Sequence, residues 1–370
     1  MTVSDLSIGL IGPLPPPSGG MANQTRQLAR LLTSDGLDVE VVQVNAPYRP
    51  RWIGRLRGLR ALFRLIPYLG QLWRLAGRAD LFHIMANSGW SWHLFTAPAV
   101  WIGTLRGVPV IVNYRGGEAE AFFRKSFGWV RPTLKRAAVI IVPSAYLAEV
   151  FCRRQIDVQI VPNIIDIHKF SASRNKPKSK QQILITRNLE PIYDIGTALH
   201  AFRRVLERFP DARLTVCGSG PELDRLQAMC NELGIGSAVV FTGTVDNERM
   251  VDLYQASSVM TNPSLVDNMP NSVLEALASG VPVVSTNVGG IPYLLKQGKT
   301  ALLVSPGDEA GMAEAIVSIL EDHDLAEKLI SAGLEEVQQY TWPSVRKRLL
   351  ETYRAVSANA ATNGGEQDVN

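Results

Sequence analysis

Residues 267–285 read Asp267-Asn-Met-Pro-Asn-Ser-Val-Leu-Glu275, then Ala276-Leu-Ala-Ser-Gly280, then Val281-Pro-Val-Val-Ser285. An N-cap at Asn271 and a C′ glycine at Gly280 predict a short helix, with a buried strand after it. Asp267 then lies on the loop before the helix, and Glu275 lies in its first turns. The carboxylates suit sugar and ribose hydroxyls, and the helix N-terminus favours a diphosphate. The alternative is structural: Glu275 complements the helix dipole and Asp267 occupies a turn.

Short apolar runs alternate with helical segments on both sides of this stretch, which is typical of βαβ units around a buried parallel sheet. The predicted strands span residues 6–11, 39–44, 81–85, 108–113, 139–142, 182–186, 213–217, 238–242, 259–262, 281–285 and 301–304. Residues 171–180 interrupt the rhythm, because they are polar and basic without an acidic residue, as in a linker. The sequence therefore predicts an α/β protein of two facing Rossmann-like doubly wound domains, with ligands at the carboxyl ends of the strands.

Two glycine pairs lie at predicted strand-to-helix turns. Gly19 and Gly20 precede the first helix, where close backbone approach and free N–H groups suit a phosphate. Gly218 and Gly220 follow the strand 213–217 and fit a tight turn that faces a ligand. Each pair also has a plain reading as an ordinary turn, since neither loop matches GxGxxG or a Walker loop.

Composition narrows the class of protein. With 46% hydrophobic and 19% charged residues, the chain is globular rather than disordered. Its three cysteines are too few and scattered for a disulfide framework or a metal site, and they fit a reducing compartment. The N-terminus lacks the pattern of a signal peptide, and no apolar run reaches the ~20 residues that span a bilayer. These features predict a cytoplasmic protein.

Basic residues are concentrated in the first half of the chain. Residues 1–170 contain 20 Lys and Arg but 10 Asp and Glu, and eight of those arginines lie between Arg49 and Arg78 without an intervening acid. Leu, Phe and Trp alternate with these arginines, which is the composition of a helix in a membrane interface. The prediction is an anionic membrane surface bound through residues 49–78. The alternatives are an Arg-rich surface helix and, less favoured because no motif accompanies the charge, nucleic-acid binding.

The chain resembles glycosyltransferase family 4, whose members are retaining enzymes of the GT-B fold. The family signature is Glu, seven residues and Glu, followed by Ala, a small residue with Gly and an apolar strand; here Asp267 and Glu275 have this spacing. The resemblance extends to both glycine loops, to Val161-Pro-Asn-Ile-Ile-Asp166 at the domain junction, and to Phe241-Thr-Gly-Thr-Val245 with Leu253-Tyr-Gln-Ala256.

This resemblance implies roles for individual residues. Glu275 is expected to hold the ribose, Asp267 to approach the transferred sugar, and Arg187 to neutralise the diphosphate. Backbone groups of Met269, Pro270, Asn271 and Ser272 are expected to contact the sugar and phosphates, together with Gly19, Gly20, Gly218 and Gly220. Asn113, Arg115 and Glu118 are expected on the acceptor side. The sequence has no metal-ligand cluster such as DxD near the end of a predicted strand, so no metal or other cofactor is expected to be required.

Three positions depart from the family pattern. The first acid is Asp267 rather than Glu. Tyr193 lies near the position of the Lys that usually follows the phosphate-binding Arg, and Arg115 replaces the usual His after the strand 108–113. A sugar-nucleotide epimerase of similar shape and a catalytically silent nucleotide-sugar-binding homologue are therefore kept as alternatives.

The resulting prediction is a glycosyltransferase that moves a hexose-type sugar from a nucleotide-sugar to a saccharide or lipid-linked saccharide. Residues 1–165 form the expected acceptor-side domain, and residues 166–340 form the donor-binding domain. A helix at about 341–358 can return to the first domain, and residues 359–370 are expected to be a disordered tail.

Overall fold

The computed structural model of the protein describes residues 6–16, 19–48, 60–171 and 181–365, without the side chains of residues 60–62, 247 and 360–365. The predicted linker 171–180 lies outside the described residues except for Ser171. The chain divides into a first unit of Met1–Ile164 with Trp342–Asn370 and a second unit of Ile165–Thr341. Within the described ranges, no helix has both the length and the apolar character needed to cross a bilayer.

The first unit is built on a parallel sheet with the strand order β2-β1-β3-β4-β5-β6. Its strands are β1 (Ser7–Gly12), β2 (Asp38–Gln43), β3 (Leu81–Ala86), β4 (Val110–Tyr114), β5 (Val139–Val142) and β6 (Gln159–Ile160). Its helices are α1 (Gly20–Ser34), α2 (Arg60–Leu75), α3 (Ala97–Leu105), α4 (Ala119–Leu134), α5 (Ala145–Cys152) and α13 (Trp342–Gly365), with a π-helical segment, Trp92–Thr96, before α3.

Both faces of this sheet are covered by helices, because successive side chains of a strand point to opposite faces. In β4, Val110 and Val112 contribute to the core shared with α2, α3, α4 and α5. Ile111, between them, contributes to the core shared with α1 and α13. The C-terminal helix α13 therefore belongs to the first unit.

The second unit is built on a parallel sheet with the strand order β12-β11-β10-β7-β8-β9. Its strands are β7 (Gln182–Thr186), β8 (Arg213–Cys217), β9 (Val239–Gly243), β10 (Val259–Asn262), β11 (Val283–Thr286) and β12 (Leu302–Val304). Its helices are α6 (Ile195–Arg208), α7 (Leu223–Glu232), α8 (Asn247–Ala256), α9 (Asn271–Ala278), α10 (Ile291–Leu294), α11 (Glu309–Glu321) and α12 (His323–Glu336), with 3-10 turns at Pro191–Tyr193, Gly236–Ala238 and Val337–Tyr340.

The strand order reverses between β7 and β10, which lie side by side although two strands separate them in the chain. Such a switch point leaves a crevice outside the carboxyl ends of the two strands, where ligands of doubly wound sheets bind. The segments that follow Thr186 and Asn262, the last residues of β7 and β10, border this crevice. On the two faces of this sheet, β7 contributes Ile183 and Ile185 to one core and Leu184 to the other.

The fold predicted from the sequence is confirmed, with differences at its margins. β5, β7, β8 and β10 have the predicted bounds, and the other predicted strands differ by one or two residues at an end. β6 was not predicted, because its two residues are too few for a periodic pattern. Residues 359–365 of the expected disordered tail continue α13 as helix, and residues 366–370 lie outside the described part of the chain.

Candidate active site

The helix α9 begins one residue earlier than predicted from capping. Pro270 is the N-cap, with φ −68° and ψ 123°, and Asn271 is the first helical residue. The predicted N-cap at Asn271 is therefore wrong, because Pro270 supplies the extended conformation that the capping position requires. Pro270 also has no N–H group to offer a ligand. Gly280 has φ +63°, as expected for the C′ glycine.

The first turn of α9 presents an enclosed hydroxyl without a partner. Ser272 is 8% exposed, and its Oγ makes no hydrogen bond within the described part of the chain. The side chain of Met269, two residues before the helix, packs into the core of the second unit. Contacts from Met269 to a ligand are therefore left to its backbone, whereas Ser272 has a polar side chain.

Glu275 is half-buried in the second turn of α9 and is held by a tyrosine. Tyr254 Oη lies 3.0 Å from Glu275 Oε2, 3.1 Å from the Ser272 carbonyl oxygen and 2.9 Å from Thr186 Oγ1. Desolvation raises the pKa of Glu275 to about 7, although the Tyr254 hydrogen bond and the charge of Lys169 lower it. The carboxyl therefore changes its charge near neutral pH, and a hydrogen-bonding ligand can fix it in the ionised form.

Arg187 follows β7 and lies in a polar cluster at the switch point. Its Nε donates to Asn262 Oδ1 at 2.9 Å and its Nη2 to Ser264 Oγ at 3.1 Å, while Nη2 also forms an ion pair with Asp267. Burial lowers the pKa of Arg187. The structure thus brings together Arg187 and Asp267, two residues predicted to act on different parts of the donor.

Asp267 is fixed by its backbone as well as by Arg187. Its Oδ1 accepts from the Asn268 N–H at 3.0 Å, and its carbonyl oxygen accepts from the Gly290 N–H at 3.0 Å. A side chain at Gly289 or Gly290 would collide with the carbonyl oxygens of Asp267 and Asn268. The pair Gly289-Gly290 is therefore required for the close approach that holds this acidic loop.

Tyr193 occupies the region where the resembling family has a lysine. The Arg187 guanidinium carbon lies 4.5 Å from the centroid of the Tyr193 ring. The ring therefore supports the existing cation by a cation–π contact and adds no second positive charge.

The glycines at 218 and 220 allow the loop after β8 to approach the segment that carries Arg187. Gly218 has φ +154°, and a side chain there would collide with the Arg187 carbonyl. A side chain at Gly220 would collide with the Leu189 backbone. These two glycines thus have a structural reason that does not depend on a ligand, and their predicted contact with the donor stays a prediction.

The other glycine pair begins α1 in the first unit. Gly19 is the N-cap and Gly20 the first helical residue, and a side chain at Gly19 would meet no atom of the described residues within 4 Å. The open space agrees with the idea of a phosphate at this helix start, but no contact here tests it.

A chain of hydrogen bonds crosses the first unit and ends at Arg115. Tyr353 Oη lies 2.7 Å from His83 Nδ1, and Asn113 Nδ2 lies 3.0 Å from His83 Nε2. Asn113 Oδ1 in turn accepts from Arg115 Nε at 3.1 Å, and Asn163 Oδ1 accepts from Arg115 Nη1 at 2.5 Å. Asn113 is 1% exposed, and its place on the acceptor side stays a prediction. In the structure it supports Arg115.

His83 is the neutral member of this chain of hydrogen bonds. Burial, with a smaller effect of the Arg115 charge, lowers the pKa of His83 to about 3. Since the Asn113 amide nitrogen must donate to Nε2, the proton of His83 lies on Nδ1 and is donated to Tyr353. Burial also lowers the pKa of Arg115 to about 10, which leaves Arg115 charged at neutral pH.

Glu118 is exposed and precedes α4 as its N-cap residue, without a side-chain capping hydrogen bond. In the ranges that the structure describes, no group of three or more His, Cys, Asp or Glu is arranged to hold a metal ion. The expectation that no metal is needed remains a prediction.

Similarity to solved structures defines the class of fold. Sucrose-phosphate synthase from Thermosynechococcus elongatus aligns with a TM-score of 0.75 and 21% identity, over 95% of this chain and 100% of that one. Anabaena HepE, solved in complex with UDP and glucose, aligns with a TM-score of 0.72 and 17% identity, over 94% of this chain and 100% of that one. At these identities the likeness shows the fold alone, which is that of GT-B glycosyltransferases.

The family follows from the sequence. Residues 18–169 match the family model described as Glycosyltransferase Family 4, and residues 166–336 match the model described as Glycosyl transferases group 1. The chain belongs to glycosyltransferase family 4, and it is a transferase.

Curated relatives are also named as glycosyltransferases. The phosphatidyl-myo-inositol mannosyltransferase of Mycobacterium leprae is 25% identical over 95% of this chain and 96% of its own length. The D-inositol 3-phosphate glycosyltransferase of Corynebacterium urealyticum is 31% identical over 54% of this chain. The chain spans about half the length of this second relative, 51%.

Several residues of the site were not predicted from the sequence. Asn262 and Ser264 hold Arg187, and Gly289-Gly290 holds the Asp267 loop. Asn262 carries a signal that was available, because it is a polar residue that ends an apolar strand at the carboxyl edge of a sheet. The chain from Tyr353 to Arg115 had none, since 270 residues separate Tyr353 from His83.

Proposed function

We propose that the second unit binds a nucleotide-sugar at the start of α9 and that the enzyme transfers the hexose with retention of its anomeric configuration. In this proposal Glu275 accepts hydrogen bonds from the ribose, and Arg187 faces the diphosphate. The nucleotide-sugar complexes of relatives in the same fold class support a donor of this kind: HepE has been solved with UDP-glucose.

The observation that carries the proposal is the position of Tyr254, whose hydroxyl contacts the half-buried Glu275 carboxyl, the Ser272 carbonyl and Thr186, the residue before Arg187. The Ser272 hydroxyl is enclosed and has no partner among the described residues. A carboxylate that accepts two hydroxyls suits a ribose, and a helix start beside a guanidinium suits a diphosphate.

The chain's own residues can stabilise the leaving group. Negative charge grows on the diphosphate as the bond to the sugar breaks, and a cation held in place beforehand stabilises that charge most effectively. Asn262, Ser264 and Tyr193 hold Arg187 in one position, so little reorganisation is needed when the charge develops. We propose that Arg187 and the α9 N-terminus perform this role without a metal ion.

A panel of UDP-, GDP- and ADP-hexoses tests the donor. With water as the acceptor, the purified chain is expected to release the nucleoside diphosphate from one of them and to form a free hexose whose initial anomeric configuration, read by proton NMR, is that of the donor. Conversion of the sugar without its transfer indicates an epimerase, and binding without turnover indicates a silent homologue. Either outcome contradicts the proposal.

We further propose that the acceptor is lipid-linked or lies at a membrane, and that the first unit attaches to the cytoplasmic face of an anionic bilayer. The name of the phosphatidyl-myo-inositol mannosyltransferase supports a lipid acceptor for a relative that aligns over almost the whole chain. For this chain the support comes from the outer surfaces of α2, α3 and α4.

These three helices pack side by side and expose large apolar side chains, although α2 also covers the sheet with Tyr68 and Leu72. We call this surface the aromatic face; its residues are Phe63 (50% exposed), Ile66 (67%), Trp73 (51%), Trp101 (38%), Leu105 (73%) and Trp129 (83%). Arginines stack on two of its tryptophans, with Arg106 4.8 Å from the Trp73 ring centroid and Arg136 3.6 Å from that of Trp101.

Charge favours an anionic partner for the aromatic face. Residues 60–136 contain eleven basic and three acidic residues. Each Lys or Arg near an anionic bilayer contributes ~1 kcal/mol, and tryptophan is enriched at the headgroup level. The predicted membrane stretch 49–78 is thereby extended to α3 and α4, while residues 49–59 lie outside the described part.

Vesicle sedimentation tests the attachment. The protein is expected to pellet with anionic but not neutral vesicles, partly released by 1 M salt, where the Debye length is ~3 Å. Changing Arg55, Arg57, Arg60 and Arg64 to Gln should weaken binding, and so should Trp129→Ser. Tyr293→Ser in the second unit, which removes an aromatic side chain that is 46% exposed, is the matched control. Equal, negligible pelleting with both kinds of vesicle contradicts the proposal.

A further inference from the structure

Arg115 lies at the carboxyl edge of the first sheet, directly after β4. Its backbone N–H donates to the Ala86 carbonyl at the end of the neighbouring strand β3. The next residue, Gly116, packs so closely on Ser88 that a side chain there would collide with the Ser88 hydroxyl. Among the described residues, a side chain at Gly117 would meet no atom within 4 Å. Arg115 thus lies on a tightly fixed backbone segment, two residues before a glycine with open space around it.

The hydrogen bonds of Arg115 hold it without neutralising it. Nε and Nη1 donate to the amide oxygens of Asn113 and Asn163. The orientation of the Asn113 amide is fixed, because its nitrogen donates to the neutral His83, which in turn bonds Tyr353 of α13. Both partners of the guanidinium are therefore neutral dipoles, and the whole positive charge remains.

No carboxylate balances this charge. Among the described residues, no Asp or Glu lies within ion-pair distance of Arg115, and Nη2 makes no hydrogen bond. Nη2 is also not one of the enclosed unpaired atoms of the described chain. A partly buried guanidinium with one free terminal nitrogen is prepared to bind an anion, which would supply the missing acceptors and charge.

We propose that Arg115 binds a phosphate group of the acceptor and so makes the enzyme specific for phosphorylated acceptors. The inference rests on the proposed transferase function only in calling the ligand an acceptor. The resembling family has a histidine here, which is mostly neutral at pH 7 when unperturbed. Replacement by Arg115 places a permanent positive charge at the same position, and a phosphate gains from that charge whereas a neutral sugar does not.

Equilibrium dialysis with inorganic phosphate tests the site without turnover, at ionic strength held constant with chloride. The full chain and Arg115→Lys are expected to bind one phosphate more than Arg115→Gln, or to bind it at least tenfold more tightly. Circular dichroism and the Tm establish that each variant is folded. Tyr353→Phe, which breaks the chain that orients Asn113, should weaken phosphate binding less than Arg115→Gln while leaving its stoichiometry unchanged.

A second measurement uses the unaltered protein, so it does not depend on the folding of a variant. Phosphate should protect Arg115 from phenylglyoxal, as mapped by mass spectrometry, whereas glycerol should not. Displacement of phosphate by glycerol 3-phosphate points to a soluble phosphomonoester, and displacement by dihexanoyl phosphatidylglycerol points to a lipid phosphodiester. Equal phosphate binding by the full chain and by folded Arg115→Gln overturns the proposal, even if the donor panel gives turnover.

Discussion

The two units solve the same structural problem, an arginine at the carboxyl edge of a parallel sheet, in different ways. Arg187 in the second unit pairs with Asp267, so its charge is balanced within the protein. Among the described residues, the Arg115 side chain in the first unit donates to the amide oxygens of Asn113 and Asn163 and has no ion-pair partner. Arg187 can exchange its ion pair with Asp267 for a bond to a ligand, whereas Arg115 gains an anionic partner when a ligand binds. Arg187 is therefore suited to stabilising charge in the transition state, and Arg115 is suited to recognising an anionic ligand.

The largest effect on activity is expected at Glu275 in the second unit. Glu275→Ala should reduce turnover to below detection with the fold intact, because the carboxylate has a ligand rather than a core to satisfy. The measurement is kcat/KM with the donor found by the panel, and Glu248→Ala on the exposed side of α8 is the control. A value near that of the unaltered enzyme contradicts the site assignment.

A smaller but still large effect is expected for the balanced arginine. Arg187→Ala should lower kcat/KM by about 30- to 1000-fold, or roughly 2–4 kcal/mol, which is the scale of removing one preorganised charge-stabilising group. The loss should fall mainly on kcat. An increase in KM alone would mean that Arg187 binds ground state and transition state equally. Arg203→Ala, an exposed arginine of α6, is the matched control.

The raised pKa of Glu275 predicts a stability effect of on the order of 1–3 kcal/mol. A carboxyl with a pKa of about 7 in the folded chain and a lower one in the unfolded chain favours folding most at low pH, and this contribution is lost as the pH rises towards 7. Glu275→Gln does not titrate, so its Tm relative to the unaltered protein should increase between pH 4.5 and 7.5. A difference in Tm that is independent of pH contradicts the assignment.

The smallest effect is expected from metal removal. If Arg187 and the start of α9 stabilise the charge of the leaving group, EDTA should change kcat/KM by less than about twofold. Mg²⁺ added afterwards should not raise kcat/KM above its value before chelation. A loss of activity on chelation that Mg²⁺ or Mn²⁺ reverses would show that a cation takes part in the reaction.

The sequence predicted what periodicity and local spacing encode. The strands β7 and β10 and the helix between Asp267 and Gly280 follow from apolar runs, a turn and a C′ glycine, all local signals. The pairing of Arg187 with Asp267 depends on the adjacency of two strands that are distant in the chain, so it required the structure.

Burial accounts for the other differences. The family resemblance predicts Asn113 on the acceptor side, and in the structure its side chain turns inward to His83. In the second sheet Asn262, the last residue of β10, also turns inward and supports an arginine. In both sheets an asparagine near the carboxyl end of a strand positions a functional candidate, and composition alone does not distinguish a supporting residue from a contacting one.

The second unit begins and ends at neighbouring backbone positions. Ile165 donates its N–H to the Tyr340 carbonyl at 2.9 Å and bridges Thr341, after which α13 returns to the core of the first unit. In engineering terms residues 165–341 are a cassette, an insertion whose two ends meet, as in the sites where domain insertion succeeds. A cassette from another family member could be spliced between Ile164 and Trp342 without cutting either sheet, which would exchange the donor-binding unit while Arg115 and its supports stayed in place.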